Sequence, residues 1–418
     1  MTSNSADLLY VWVYLPDAST PVVAGRLDVS ATPAGNIGRF NYGQSYLSRS
    51  DAVPIDPVAL PLAKGSRTFT SLNGFPGAMM DACPDAWGKR VIDRLQGKQA
   101  NPVGYLLFND PGRAGCLAFS QQPDQPPTVL ESREFDLAEL LSAAQAVEAE
   151  RFVDPELLNA LHPGSGGARP KCNIVEQGAT WIVKFPSLDD RYISVPRLEH
   201  ATMTLAKSCG VDVAETQIRQ INGQDICLVR RFDRLPQKSA PQGTQGGAAR
   251  RGFLSARTVF YDDPAYAAVA TGSYQRLSRW MPRFGATRVE QQQLFLRMVF
   301  NAVVRNDDDH EQNHGLVHSR ADQFSLAPAY DIVPNLLPRP VNYHALLIGG
   351  SGAGTVANLV AVAEDFALSR DEAREIVKSV ESRVLNTWQN IFYEAGFGDE
   401  DIRKVEPIFR PLPLGDDL

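Results

Sequence analysis

Three aspartates and two histidines crowd into residues 305–315, RNDDDHEQNHG. Two chemistries fit that crowding. His310-Glu311-Gln312-Asn313-His314 spells H-E-x-x-H, the pattern by which a helix offers two zinc-binding histidines and a general base. In the same stretch Asp308 and Asn313 stand in the D-x-x-x-x-N spacing of a kinase catalytic loop. The two readings call for different cofactors and different partner residues elsewhere.

The zinc reading needs an unbroken helix through the motif and usually a third ligand beyond it. Successive carboxylates repel one another, and Asn306 and Asp307 compete for backbone hydrogen bonds, so the run 306–309 disfavours a helix. No glutamate occurs between Glu311 and Glu364, and nothing positions Asp322, Asp331, His318 or His344 as a substitute ligand.

Phosphoryl transfer needs a cradle for phosphates, a cation on them, metal-holding carboxylates and a group that positions the attacking hydroxyl. Gly164-Ser165-Gly166-Gly167 offers a backbone that can close on phosphate oxygens. Arg169 and Lys171 stand just after it. Lys184 lies in an apolar strand, where a lone ammonium is costly without a partner. Glu199, on the following helix, is the expected partner. Asp308 and Asn313 come next, and Asp331 follows in LAPAYDIVP. Each piece has an ordinary alternative, such as a turn, a snorkelling lysine or a solvated acidic loop. Their order along one chain is what favours phosphoryl transfer.

The elements that must carry these residues are legible in outline. Residues 8–15 predict a buried strand. Trp87, Val91, Ile92 and Leu95 predict a helix after Pro84. Residues 103–109 and 115–119 predict a hairpin around Asp110-Pro111-Gly112, completing an α+β region of roughly 125 residues. The prolines of QQPDQPP, 121–127, predict a linker. A helix is expected over 136–149, a strand over 180–187, a helix over 196–210 stopped by Gly210, and a strand over 225–234. The polar run PQKSAPQGTQGG (236–247) predicts a mobile surface loop, with Arg250, Arg251 and Arg257 at its solvated edge. A strongly apolar helix over 289–306 runs into the acidic motif. The last hundred residues are mostly helical, with Ser369 as an N-cap.

Composition sets the outer bounds. The 418 residues exceed one compact core, so two or three subdomains are expected. A net charge of −7 argues against a basic nucleic-acid face as the default. Five scattered cysteines, none in C-x-x-C spacing, fit reduced thiols in a cytoplasmic protein. No apolar run approaches the roughly 20 residues of a membrane span. The N-terminus lacks the basic start of a signal peptide.

Taken together, GGARPK (166–171), VKFP (183–186), Glu199 ahead of LAKSCGVDV, RRFDR (230–234), NDDDHEQNHG (306–315), PAYDIVP (328–334) and HALLIGG (344–350) resemble the HipA family of serine/threonine-kinase toxins from bacterial toxin–antitoxin pairs. PDAWGKRVIDR resembles that family's N-terminal domain. The resemblance implies an α+β fold: a small N-terminal α+β domain (1–125), a kinase N-lobe-like region (126–235) and a helical C-lobe (236–418). It implies ATP and Mg²⁺ as cofactors, with Asp308 as the catalytic aspartate and Asn313 and Asp331 as metal ligands. Gly166, Gly167, Ala168, Arg169, Pro170 and Lys171 would form the phosphate loop, and Lys184, paired to Glu199, would reach the phosphates. Arg230, Arg231 and Phe232 would meet adenine, and His310 would order the loop. Ser165 is the local candidate for inhibitory autophosphorylation. The implied partners are a HipB-like helix-turn-helix antitoxin, through which alone DNA would be met, and a protein substrate such as an aminoacyl-tRNA synthetase. A second reading keeps the fold as a docking module and co-repressor for that antitoxin.

Overall fold

The computed structural model describes residues 7–415 except 109, 128–134, 162, 163, 165, 191, 237–247, 264, 267–270, 321 and 338. Ser165 and most of the 236–247 run therefore lie outside the described residues. The fold is α+β and forms two compact units. The first comprises residues 1–188, 230–254 and 317–323, and the second 189–229, 255–316 and 324–418.

The first unit is built on an antiparallel sheet of five strands: β1 (Asp7–Tyr14), β2 (Pro21–Thr32), β3 (Gly35–Tyr42), β4 (Arg67–Phe69) and β5 (Leu117–Ser120), in the order β4-β3-β2-β1-β5. Leu9, Val11 and Val13 alternate into its core, the two-residue period of a strand. Where 103–109 was expected to be a strand, Pro102–Leu107 is a helix. Asn101 caps it by accepting from the Val103 N–H at 2.9 Å, and Pro102 fits its first turn. Its expected hairpin partner instead becomes β5, paired to β1. Helix Ala86–Gln96 buries Trp87, Val91 and Ile92, as their spacing requires. Helix Leu137–Glu148 opens with a capping box between Asp136 and Glu139. A hairpin follows, β6 (Lys171–Glu176) against β7 (Ala179–Lys184).

The second unit is mainly helical. Helix Val195–Ser208 packs beside a hairpin of β8 (Thr216–Ile221) and β9 (Gln224–Arg230), and the chain turns away at Gly210, whose φ is +86°. Helix Arg288–Val303 is capped by Thr287 and Glu290 and is buried along most of its length. Arg305, at φ +58°, ends its run and starts the acidic loop. Helix Arg370–Glu394 carries the expected Ser369 cap, reinforced by Glu372. No described helix is long and apolar enough to cross a membrane.

Candidate active site

The three adjacent aspartates have three different fates, all decided within the second unit. Asp307 is held from outside the loop: the Asn335 amide donates to its carboxylate at 2.5 Å, and Arg339 lies 3.6 Å away. Asp309 turns inward and is 1% exposed. Its carboxylate accepts from the Tyr274 hydroxyl, from the Asn301 amide at 2.9 Å and from His314 Nε2 at 2.8 Å. Burial alone would raise Asp309, but His314 and these donors outweigh it and hold the carboxylate below its ordinary range. Asp308 lies between them and is exposed. Among the described residues no hydrogen bond reaches its carboxylate. Partial desolvation raises its pKa; His310 opposes that, while Asp331, Asp307 and Asp309 reinforce it.

The rest of the loop is fixed by its own backbone. The Asn313 N–H donates to the His310 carbonyl at 2.9 Å, and the Asn313 side-chain amide donates to the Asp308 carbonyl at 3.1 Å. That bond engages the amide nitrogen and leaves the side-chain oxygen, a hard acceptor, without a hydrogen bond among the described residues. His310 Nδ1 accepts from the Gln312 N–H at 3.1 Å, which orders the turn. Two further main-chain bonds pin the loop: Ala345 N–H to Asp307 at 3.1 Å and Leu346 N–H to Asp309 at 2.8 Å. The HALLIGG segment thus acts as a brace. Asp331 is half-buried at φ +58°, a left-handed conformation that aspartate tolerates better than most residues. It follows a stretch anchored by the Ala329 N–H on Asp212 at 2.8 Å. Glu199 is 2% exposed on its helix.

This geometry overturns the zinc reading. Residues 306–314 form turns rather than a helix, so the two histidines do not share a helix face. His314 is buried against Asp309 and edge-on to Tyr274, with ring centroids 5.0 Å apart. Among the described residues no three His, Cys, Asp or Glu side chains gather as a metal site.

The first unit holds the other expected residues. The β6–β7 register sets Lys171 directly opposite Lys184, so two ammonium stems share one end of the hairpin. Lys171 is buried and its ammonium donates to the Gly166 carbonyl. Gly167 has φ +99°, a conformation that favours glycine.

The 230–234 run departs from expectation in its side chains. Arg231 is buried, donating to Asp233 at 2.9 and 2.7 Å, to Asn173 at 2.9 Å and to the Gly112 carbonyl at 2.5 Å. Its guanidinium is thus engaged inside the unit and not offered outward as expected, while Arg230 and Phe232 are half-buried. Arg234 also donates to Asp233, at 2.8 Å. Burial pushes Asp233 up, but Arg231 and Arg234 prevail and hold it well below the usual carboxylate range. Arg250, expected at a solvated edge, is buried with its guanidinium 4.1 Å from the centroid of the Tyr14 ring.

Sequence reasoning missed Tyr274, Asn301 and the inward turn of Asp309. Asn301 lies in the last turn of helix Arg288–Val303 and Tyr274 lies 35 residues before its partner, so no local motif marks either.

Comparison with known proteins gives the ancestry. Residues 164–388, more than half of the chain, match the family described as HipA-like C-terminal domain. A Sinorhizobium fredii protein named "Putative kinase Y4dM" is 28% identical over 172 residues, 38% of each protein. A Haemophilus influenzae protein named "Putative kinase" is 26% identical over 180 residues, 42% of this chain and 50% of that one. The matches thus span half or less of the length of these relatives. Among solved structures, HipA in the Shewanella oneidensis MR-1 complex of HipA, HipB and operator DNA superposes with a TM-score of 0.69 at 18% identity, covering 96% of both chains. The fold agrees from end to end, and the matched domain exceeds half of the sequence: the chain belongs to the HipA-like C-terminal domain family.

Proposed function

We propose that the protein is a serine/threonine protein kinase that moves the γ-phosphate of ATP to a protein hydroxyl. One observation carries this reading. Of three adjacent aspartates, Asp308 alone keeps its carboxylate clear of hydrogen bonds from the described residues, and it stands five residues before an Asn313 whose amide is tied back to it. In this reading Asp308 accepts a hydrogen bond from the attacking hydroxyl and aims it. Asn313, through its side-chain oxygen, and Asp331 hold Mg²⁺, which when bound offsets phosphate charge. The loop Gly166–Lys171 and Lys184 take the phosphates, Arg230, Phe232 and the Arg231 main chain border adenine, and His310 keeps the loop in shape. Catalysis is then mainly positioning and electrostatics.

Family membership and a structural relative bound to HipB and operator DNA support a further assignment. The protein acts in the cytoplasm as the toxin of a toxin–antitoxin pair and docks a HipB-like helix-turn-helix partner, with its target an aminoacyl-tRNA synthetase or another translation component. Ser165 is the proposed autophosphorylation site. Incubation with labelled ATP and Mg²⁺, beside Asp308→Ala, tests the kinase. Label on wild type alone supports it, and phosphosite mapping then tests Ser165. A wild type that neither binds ATP nor carries phosphate by intact mass sinks it and leaves the docking role.

A further inference from the structure

The glycine-rich loop of the first unit is gripped by carboxylates from the N-terminal part of the same unit. Asp85 occupies the N-cap position of helix Ala86–Gln96, yet its side chain makes no cap hydrogen bond. An aspartate there ordinarily accepts from its own helix. Its Oδ2 instead accepts from the Gly167 N–H at 2.8 Å. Asp110 does the same at the loop's other end, taking the Gly164 N–H with Oδ2 and the Gly112 N–H with Oδ1 at 2.7 Å. Trp87 closes the grip. Its main-chain N–H donates to the Gly167 carbonyl at 3.2 Å, and its indole donates to the Lys171 carbonyl at 2.9 Å.

We propose that Asp85 is an intrachain competitor for nucleotide phosphate, holding the glycine-rich loop in a low-affinity state. The inference rests on the reading of residues 166–171 as the phosphate loop and assigns regulation of that site to the N-terminal segment. A main-chain N–H in such a loop serves an anionic oxygen. The Asp85 carboxylate already fills that role at Gly167, and a phosphate oxygen brought to the same donor meets a like charge at close range. The loop is tailored to this contact. A Cβ at Gly166 would lie 2.9 Å from Asp85 Oδ2, and Gly167 takes the φ of +99° that few other residues accept. Release of Asp85, which can return to its own helix N-terminus as a cap, frees the donor without leaving the carboxylate unsatisfied.

The opposite role, a carboxylate that shapes the loop to receive nucleotide, predicts the opposite sign, so one titration separates them. Full-length wild type, Asp85→Asn and Asp85→Ala are titrated calorimetrically with a non-hydrolysable ATP analogue and Mg²⁺. Amide hydrogen exchange is followed over the Gly166–Lys171 peptide without nucleotide. The expected result is binding about tenfold tighter in Asp85→Ala, an intermediate gain in Asp85→Asn, and faster exchange in both. Asp85→Asn keeps the side-chain shape and an acceptor, so it serves where the alanine variant fails to fold. Equal or weaker binding by the variants, with wild type binding measurably, overturns the competition and leaves the kinase reading intact. Unchanged exchange overturns the contact itself. No binding by wild type or either variant, with exchange altered as expected, removes the phosphate-loop reading and this inference with it.

Discussion

Asn313 donates its side-chain amide to the main-chain carbonyl of Asp308 across 3.1 Å. The residue assigned to the metal thus also fixes the backbone of the residue assigned to the hydroxyl. Loss of this side chain removes the brace and, in the kinase reading, a metal-ligand oxygen as well. Asn313→Ala is expected to lower phosphate transfer about 100-fold or more, the scale seen when one preorganised electrostatic group is deleted. Asn313→Asp, which keeps an oxygen ligand but cannot donate to the carbonyl, is expected to fall between. Initial rates across a Mg²⁺ titration check this. Asn313→Asp rates equal to wild type at all Mg²⁺ concentrations would show that the brace is idle.

Behind that pair lies a second, buried one. Asp309 and His314 immediately follow Asp308 and Asn313, and they meet at 2.8 Å on the inner side of the loop. The loop therefore turns Asp308 outward and anchors Asp309 and His314 inward. Tyr274→Phe deletes one of three donors to a buried carboxylate and is expected to cost about 1–3 kcal/mol. Asp309→Ala leaves the Tyr274 hydroxyl and the Asn301 amide short of an acceptor and is expected to cost at least as much. Urea denaturation measures both. A Tyr274→Phe variant as stable as wild type would mean that the hydroxyl adds nothing to the anchor.

The same anchor predicts an acid limit. Asp309 has a folded pKa lowered below its ordinary value, chiefly by His314 working against the opposing effect of burial. The unfolded chain therefore binds the proton more readily. The stabilisation is complete above about pH 4, and it is lost as the pH falls through the folded value. The groups facing Asp309 are Tyr274, Asn301 and His314, and His344 lies near enough to act on it through charge. Stability measured from pH 7 down to pH 3 is expected to fall more steeply in wild type than in Asp309→Asn. Parallel curves would remove Asp309 from the acid transition.

How much of this was legible in sequence depends on the range of the forces involved. Helix Arg370–Glu394 and its Ser369 cap follow from local periodicity and one short-range hydrogen bond, so they read directly from the residues. The 102–107 segment did not. VGYLLF suits a strand or a helix, and Asn101 with Pro102, a cap and a first-turn proline, carried the deciding signal. Asp308 and Asn313 stood out by their spacing. Which of three aspartates faces outward was set by Tyr274, Asn301 and Asn335, partners 35 positions away for Tyr274, 28 for Asn335 and inside a helix for Asn301. The buried role of Arg231 and Arg250 was hidden for the same reason. Arginines read as surface residues unless a distant aspartate or ring receives them.

Asp233 gives the sharpest test of that last point. Two buried arginines share its carboxylate, and the Gly115 N–H adds a bond at 2.8 Å. Removal of the shared acid leaves two guanidinium groups close together, desolvated and uncompensated. Asp233→Ala is expected to cost about 3–5 kcal/mol, the range for a broken buried ion pair. Asp233→Asn keeps some hydrogen bonds but not the charge and is expected to lose somewhat less. If the arginines served mainly to meet adenine, the variant would instead fold normally and lose nucleotide affinity. Urea denaturation beside nucleotide titration tells the two apart: a large stability loss marks a structural ion cluster, and a stable variant with weakened binding marks a ligand contact.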